Sequence, residues 1–173
     1  FYYRYFISNF LQILNPANGE VIDTVSCDDL QAVAAKYTRS RAAQKVWSRT
    51  SLDERLELMA KFRDKLTAQL EDLAHLLTTE VGKPLQQSRN EINGFLGRFD
   101  FFQEQLKKTL ADETVLSDGG MTEVISHEPL GVIANISAWN YPYLVGCNVF
   151  IPALLTGNTV LYKPSEFATL TGL

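Results

Sequence analysis

The sequence is poor in the residues that most readily betray chemistry. It holds two cysteines, Cys27 and Cys147, too few for a disulfide framework and without the paired spacing of a zinc site. Its two histidines, His75 and His127, stand far apart and form no ligand cluster, so no metal is expected. Basic residues do not dominate: 16 Lys+Arg against 20 Asp+Glu leave a formal charge of -4, where a nucleic-acid binder would carry a basic excess. No run approaches the roughly 20 apolar residues of a membrane span. The aromatic-rich opening, Phe1 to Leu11, starts without Met and lacks the aliphatic core and small-residue cleavage site of a secretory signal. Also missing is the G-x-G-x-x-G fingerprint of a dinucleotide-binding turn: Gly157 stands alone, and Gly119-Gly120 lies between two β-prone runs. What is present is a chain of 173 residues, 46% apolar and 21% charged, of globular composition. Unpaired thiols fit a reducing, cytoplasmic setting.

Four stretches separate along the chain. Residues 1–12 read as an edge strand, a docked arm or sequence foreign to the domain. Residues 13–110 open with Ile13 to Val25, where Asn15-Pro16 and Asn18-Gly19 are turn chemistry ahead of a short strand, so a two-stranded hairpin is expected. Asp28 or Asp29 then caps a helix running to about Trp47. Ser51, with Glu54 three residues on, has the capping-box pattern. Leu52, Leu56, Met59, Phe62, Leu66, Leu70, Leu73 and Leu77 follow at steps of three and four, one helical stripe broken once near Thr67. Gly82-Lys83-Pro84 ends it, and another helix spans about Gln86 to Leu110. The aromatic and Met side chains of these helices are expected in the core. Residues 111–130 read as a hairpin around Asp118-Gly119-Gly120. A hairpin outside the core exposes sheet edges unless something covers it, and a partner subunit is one such cover.

The rhythm changes again over residues 131–173. Gly131 to Ile136 has buried-strand length, Tyr143 to Leu155 has helix length despite Pro152, and Thr159 to Tyr162 is a second short strand. Strand, helix and strand in about thirty residues predict a βαβ unit, a parallel pair with a right-handed crossover. The expected class is α/β, with helices on both sides of a parallel sheet. Such a sheet needs more than two strands, so the chain reads as incomplete. Ligands bind beyond the carboxyl ends of parallel strands. Two polar or aromatic segments lie there, Ser137-Ala138-Trp139-Asn140-Tyr141-Pro142 and Lys163-Pro164-Ser165-Glu166. Trp139, Asn140, Lys163 and Glu166 are therefore expected to be neighbours.

These segments also carry a resemblance. Glu128-Pro129-Leu130-Gly131-Val132-Ile133, Trp139-Asn140-Tyr141-Pro142, Pro152-Ala153-Leu154, Gly157-Asn158 and Lys163-Pro164-Ser165-Glu166 stand in the order and spacing of the aldehyde dehydrogenase superfamily. Gly82-Lys83-Pro84-Leu85 and Asn15-Pro16-Ala17-Asn18-Gly19-Glu20 extend the similarity back to about Ile13. The resemblance implies the amino-terminal portion of a Rossmann-like NAD-binding domain. It implies oxidation of a small-molecule aldehyde to an acid, with NAD or NADP, through a cysteine thiohemiacetal. Asn140 matches the family asparagine whose amide steadies the developing oxyanion; the competing reading is an Asn that ends a strand by bonding its own loop. Ile136, Ser137, Ala138 and Trp139, with Lys163, Pro164, Ser165 and Glu166, match cofactor-binding positions. For Trp139 the competing reading is a core tryptophan. Lys163 and Glu166 match the pair that holds the adenosine ribose, and an ordinary surface salt bridge competes with that role. A carboxylate at 166 repels a 2′-phosphate, so NAD is expected over NADP. Tyr141, Leu144, Val145 and Asn148 match the aldehyde tunnel, and a polar residue at 148 points to a polar aldehyde such as a semialdehyde; lining the core is the competing role. The hairpin over 111–130 matches an association arm, implying a homodimer or homotetramer.

In the family the nucleophilic cysteine, the glutamate base and a glycine-bearing phosphate loop lie well downstream of the lysine motif. Neither Cys27 nor Cys147 matches the nucleophile, and both read as small core hydrophobes. The chain alone is therefore expected to be inactive. Two other readings stay open: a short non-catalytic relative acting as a binding or interaction module, and a structural paralogue.

Overall fold

Turn chemistry at the front of the chain closes a small antiparallel sheet. The computed structural model describes residues 6–7 and 9–173, so Phe1 to Tyr5 and Ser8 of the opening segment lie outside the described residues. β1 (Phe6–Ile7), β2 (Phe10–Leu14) and β3 (Val21–Ser26) lie in the order β1-β2-β3. The sheet thus has three strands rather than two: residues 6–7 of the opening segment are its edge, with Phe6 opposite Leu11, and residues 10–12 belong to its middle strand. Asn15 Oδ1 accepts from the Ala17 N–H at 2.9 Å and Asn18 Oδ1 from the Glu20 N–H at 3.0 Å, each side chain folding its own turn. Leu11 and Ile13, alternate residues of β2, enter the interior.

α1 (Leu30–Trp47) begins at Asp29, whose side chain accepts from the Ala32 N–H. α2 (Leu52–Ala68) begins with the complete capping box between Ser51 and Glu54. The leucine stripe breaks at Gln69 and resumes in α3 (Leu70–Val81). Gly82 closes α3 in the left-handed region at φ +79°, where an added Cβ would approach Pro16 Cγ to 2.9 Å. α4 (Leu85–Thr109) follows. Leu56, Met59, Leu77, Ile92, Phe95 and Phe99 from these helices form the core. The aromatics do not all join it. Tyr37 and Phe101 are about half exposed; Phe101 meets Phe102 edge-on and borders an open cleft where Gly94 and Gly97 supply no side chain to cover it.

β4 (Glu113–Asp118) and β5 (Met121–Ile125) pair as a hairpin. Gly119 and Gly120 take φ of +54° and +90°, the type I′ geometry that only glycine enters freely at both positions. Every residue of both strands is exposed.

β6 (Val132–Ile136), α5 (Pro142–Leu155), β7 (Thr159–Lys163) and the short α6 (Thr169–Gly172) complete the order. β6 and β7 are parallel, from Val132 opposite Thr159 to Ile136 opposite Lys163. α5 runs through Pro152 without ending there. Asn135 Nδ2 donates to the Gly146 carbonyl at 3.0 Å, tying α5 to one face of β6, and Cys147, Ile151 and Leu155 carry α5 into the core. α1 reaches the pair through Thr159 Oγ1, which donates to the Ser40 carbonyl at 3.1 Å, and reaches α5 through Trp47 Nε1, which donates to the Leu154 carbonyl at 2.8 Å. β6 is not buried on both faces: Ala134 and Ile136, alternating with Asn135, are exposed, because α5 covers only the Asn135 side.

Candidate functional site

β6 and β7 end level with each other, so the segments that follow them start side by side. The Ser137 N–H donates to the Lys163 carbonyl at 3.0 Å, carrying the pairing one step past the strands. Farther out, the Trp139 ring meets the Phe167 ring edge-on at 5.9 Å, and Lys163 Nζ lies 3.3 Å from Glu166 Oε2. The two loops are therefore one surface, as the strand order required. Trp139 is 55% exposed and is not a core tryptophan. Asn140 is exposed as well, and its loop holds it by the main chain: the Asn140 carbonyl accepts from Lys83 Nζ at 2.7 Å. Ile136 projects at the strand end, Ala138 and Pro164 are half-buried, and Ser137 is buried. Ser165 is also buried, with its hydroxyl accepting from the Phe167 N–H at 3.2 Å and its carbonyl from the Ala168 N–H at 3.0 Å. That serine is spent on closing the turn.

Of the four tunnel positions, Tyr141 is the N-cap of α5 at φ -139°, so it precedes the helical face rather than lying on it. Leu144 lines a cleft of about 350 Å³ together with Gly94, Gly97, Arg98 and Phe101 of α4. Val145 is half-buried and Asn148 exposed. Sequence reasoning did not foresee the contribution of α4. Its available signal was a pair of glycines three residues apart in a helix of bulky side chains, which opens the groove.

Two buried carboxylates were also missed. Glu91 of α4 accepts from the Tyr143 N–H at 2.9 Å and the Leu144 N–H at 3.4 Å. Glu80 of α3 accepts from the Leu170 N–H at 2.9 Å and the Thr171 N–H at 2.7 Å. Each occupies the amides at a helix start just beyond a parallel strand, the place where a phosphate otherwise sits. Neither helix end is thus open to an anion, which agrees with the missing glycine fingerprint. What the surface does offer suits the other end of a dinucleotide. An exposed ammonium at 163 and a carboxylate at 166 supply donors and an acceptor for vicinal hydroxyls, beside the exposed faces of Trp139 and Phe167. The residues present therefore fit a ribose.

The thiols are not placed for attack. Cys147 lies inside the core, its Sγ donating to the Leu144 carbonyl at 3.1 Å, and burial pushes its pKa up to about 12. Cys27 is exposed and is not a core residue. It follows β3, where its N–H donates to the Asn9 carbonyl at 2.7 Å and its side chain meets solvent. Burial likewise raises the Tyr162 hydroxyl.

The aldehyde dehydrogenase family model matches residues 7–173. The chain belongs to that family. It is 34% identical, over 94% of its own length and 33% of the relative's, to 3,6-anhydro-alpha-L-galactose dehydrogenase of Streptomyces coelicolor. It is 31% identical, over 94% of its length and 31% of the relative's, to the mitochondrial succinate-semialdehyde dehydrogenase of Oryza sativa subsp. japonica. Among solved structures, NADP-dependent glyceraldehyde-3-phosphate dehydrogenase of Bacillus halodurans C-125, complexed with NADP, superposes with a TM-score of 0.89 at 29% identity. That match covers 95% of this chain and 36% of the other. The chain thus spans about a third of the length of the relatives it matches and shares the Rossmann-like fold of that portion. No described helix is long and apolar enough to cross a membrane.

Proposed function

We propose that the whole protein oxidises a small polar aldehyde to the carboxylic acid with NAD, and that this chain supplies the ribose-binding and oxyanion-binding parts of the site. The observation that carries the reading is the juxtaposition past β6 and β7: an exposed Asn140 on one loop, and the Lys163–Glu166 pair on the adjoining loop. Lys163 and Glu166 would hold the adenosine ribose, Trp139 would flank it with Ile136, Ser137, Ala138, Pro164 and Ser165 shaping the surface, and NAD supplies the hydride acceptor. The Asn140 amide is a neutral donor, fixed beforehand, for the oxygen on which charge develops when a nucleophile adds to the aldehyde. Tyr141, Leu144, Val145 and Asn148 would line the approach. A polar Asn148 favours a polar aldehyde, and the semialdehyde named for the rice relative belongs to that class.

Neither thiol described above meets this surface, so the 173 residues on their own are proposed to be inactive. The proposal extends to a cytoplasmic homo-oligomer, on the free thiols and the uncovered hairpin. Expressing the protein from its complete reading frame and following NADH formation with a panel of aldehydes tests the reading. Turnover with a carboxylated or hydroxylated aldehyde is the expected result. NAD binding without turnover of any aldehyde would leave a binding module instead, and no NAD binding would defeat the proposal.

The sign of the charge at 166 makes NAD the expected cofactor. A 2′-phosphate brought to the ribose would face the Glu166 carboxylate. Glu166→Gln should therefore improve NADP binding by about tenfold, a like-charge term of about 1.4 kcal/mol, while weakening NAD binding only slightly. Titrating both cofactors by fluorescence checks it, and tighter NADP binding by the unaltered protein would reverse the assignment.

A further inference from the structure

Asn140 can hold an oxyanion only if its loop is held first, and the structure contains a device that does so from outside the loop. Lys83, just past the end of α3, forms a salt bridge with Glu91 of α4, and the two side chains are 9% and 0% exposed. The same ammonium donates to the Asn140 carbonyl at 2.7 Å and stands 3.8 Å from the centre of the Tyr141 ring. The other oxygen of Glu91 takes the Tyr143 and Leu144 N–H groups. One buried ion pair therefore grips the chain on both sides of residues 141 and 142, at the carbonyl that precedes them and at the amides that follow. A helix cap alone would need only the carboxylate. The lysine is the part with no capping task, and it holds the carbonyl of the exposed residue proposed to meet the oxyanion.

We infer that Lys83 and Glu91 are positioning residues that set the Asn140 amide for the oxyanion. This rests on the proposed dehydrogenase reaction. Neither side chain touches substrate; both act through the 140–144 backbone. A buried charge pair suits this task because its geometry is stiff and because removing one partner strands the other.

The test uses the protein from its complete reading frame, with Lys83→Met, Glu91→Gln and the double variant. The double variant removes both charges and guards against misfolding caused by a stranded carboxylate. Two readouts are taken: hydrogen exchange of the cofactor-free protein, and steady-state kinetics with a separately measured Kd for NAD. Exchange at the amides of Tyr143, Leu144 and Val145 should quicken about tenfold or more, while the amides of Leu56 and Met59 in α2 are unchanged. kcat should fall 10- to 100-fold, the scale of a misplaced reacting group, with the NAD Kd within about twofold. Unchanged local exchange, exchange that quickens uniformly, or a lower melting temperature with kcat intact would each overturn the inference and leave an ordinary structural pair. If the unaltered protein oxidises no aldehyde, the dehydrogenase reading fails, and the exchange arm alone still decides whether the pair clamps the loop.

Discussion

Replacing Asn140 removes one hydrogen-bond donor from an exposed loop, and the main chain that shapes the loop stays anchored by its carbonyl. Asn140→Ala should therefore leave folding and NAD binding nearly unchanged while lowering kcat by about 10²- to 10³-fold, the usual loss for a single oxyanion donor. Steady-state kinetics beside a melting curve separate the two effects, and a fall in stability with kcat intact would return the residue to a structural role. The two thiols allow a second test at this scale. A core position that raises the Cys147 pKa to about 12 keeps it a protonated thiol at neutral pH, and thiolate is the reactive form. Cys27 is exposed. Brief alkylation at neutral pH followed by peptide mapping should label Cys27 and spare Cys147 until the protein is unfolded. The linkage has a sign as well. Because the folded-state pKa lies above the unfolded value near 9, the neutral thiol's stabilisation is complete below pH 9 and is lost as pH rises toward 12. Rapid labelling of Cys147 in the folded protein would contradict its placement in the core.

Helix boundaries were legible in the sequence to within a residue or two because they are local. Asp29, the Ser51–Glu54 capping box and Gly82 each satisfy or terminate their own helix with atoms close by in the chain. The stripe break shifted from Thr67 to Gln69, since a leucine step of four fits on either side of it. What stayed hidden are contacts made across a hundred residues. Arg55 is 8% exposed and has no carboxylate partner among the described residues. Its Nε donates to the Leu155 carbonyl at 2.8 Å and its Nη1 to the Thr50 carbonyl at 2.5 Å. It thus takes a carbonyl in the last turn of α5, where cations are favoured by the helix dipole. Arg55→Met should lower stability by about 3 kcal/mol in urea unfolding, because two or more carbonyls lose their donor inside the protein. Gly82→Ala should cost about 1–2 kcal/mol for a left-handed alanine, with the close approach of Pro16 Cγ adding to it. A neutral result at either position would mean that the helix ends are not held as described.

At the scale of the whole molecule, the site was readable because topology, not side-chain detail, decides where the loops after two paired parallel strands go. Register puts Ile136 beside Lys163, and the roles proposed for the residues around them come from the order of the short motifs. Glu80 and Glu91 were not readable: each interrupts an apolar stripe, and only the tertiary partner shows that the interruption is a cap for another helix. The hairpin lies between these cases. Its turn and strands follow from Gly119-Gly120, but its environment does not. A two-stranded hairpin is at best marginal by itself in water, and this one places Met121 and Ile125 on one face and Val124 on the other, each about half exposed. Apolar side chains on both faces call for cover on both, which a second copy of the protein supplies if the hairpin is the association arm. Val124→Glu and Ile125→Glu in the protein from its complete reading frame should then shift sedimentation toward monomer. The melting temperature measured at low concentration should barely move, because these side chains contribute nothing to the core around Phe95 and Ile151. An unaltered protein that sediments as a monomer, or variants that keep its oligomeric state, would show that the hairpin has a different cover.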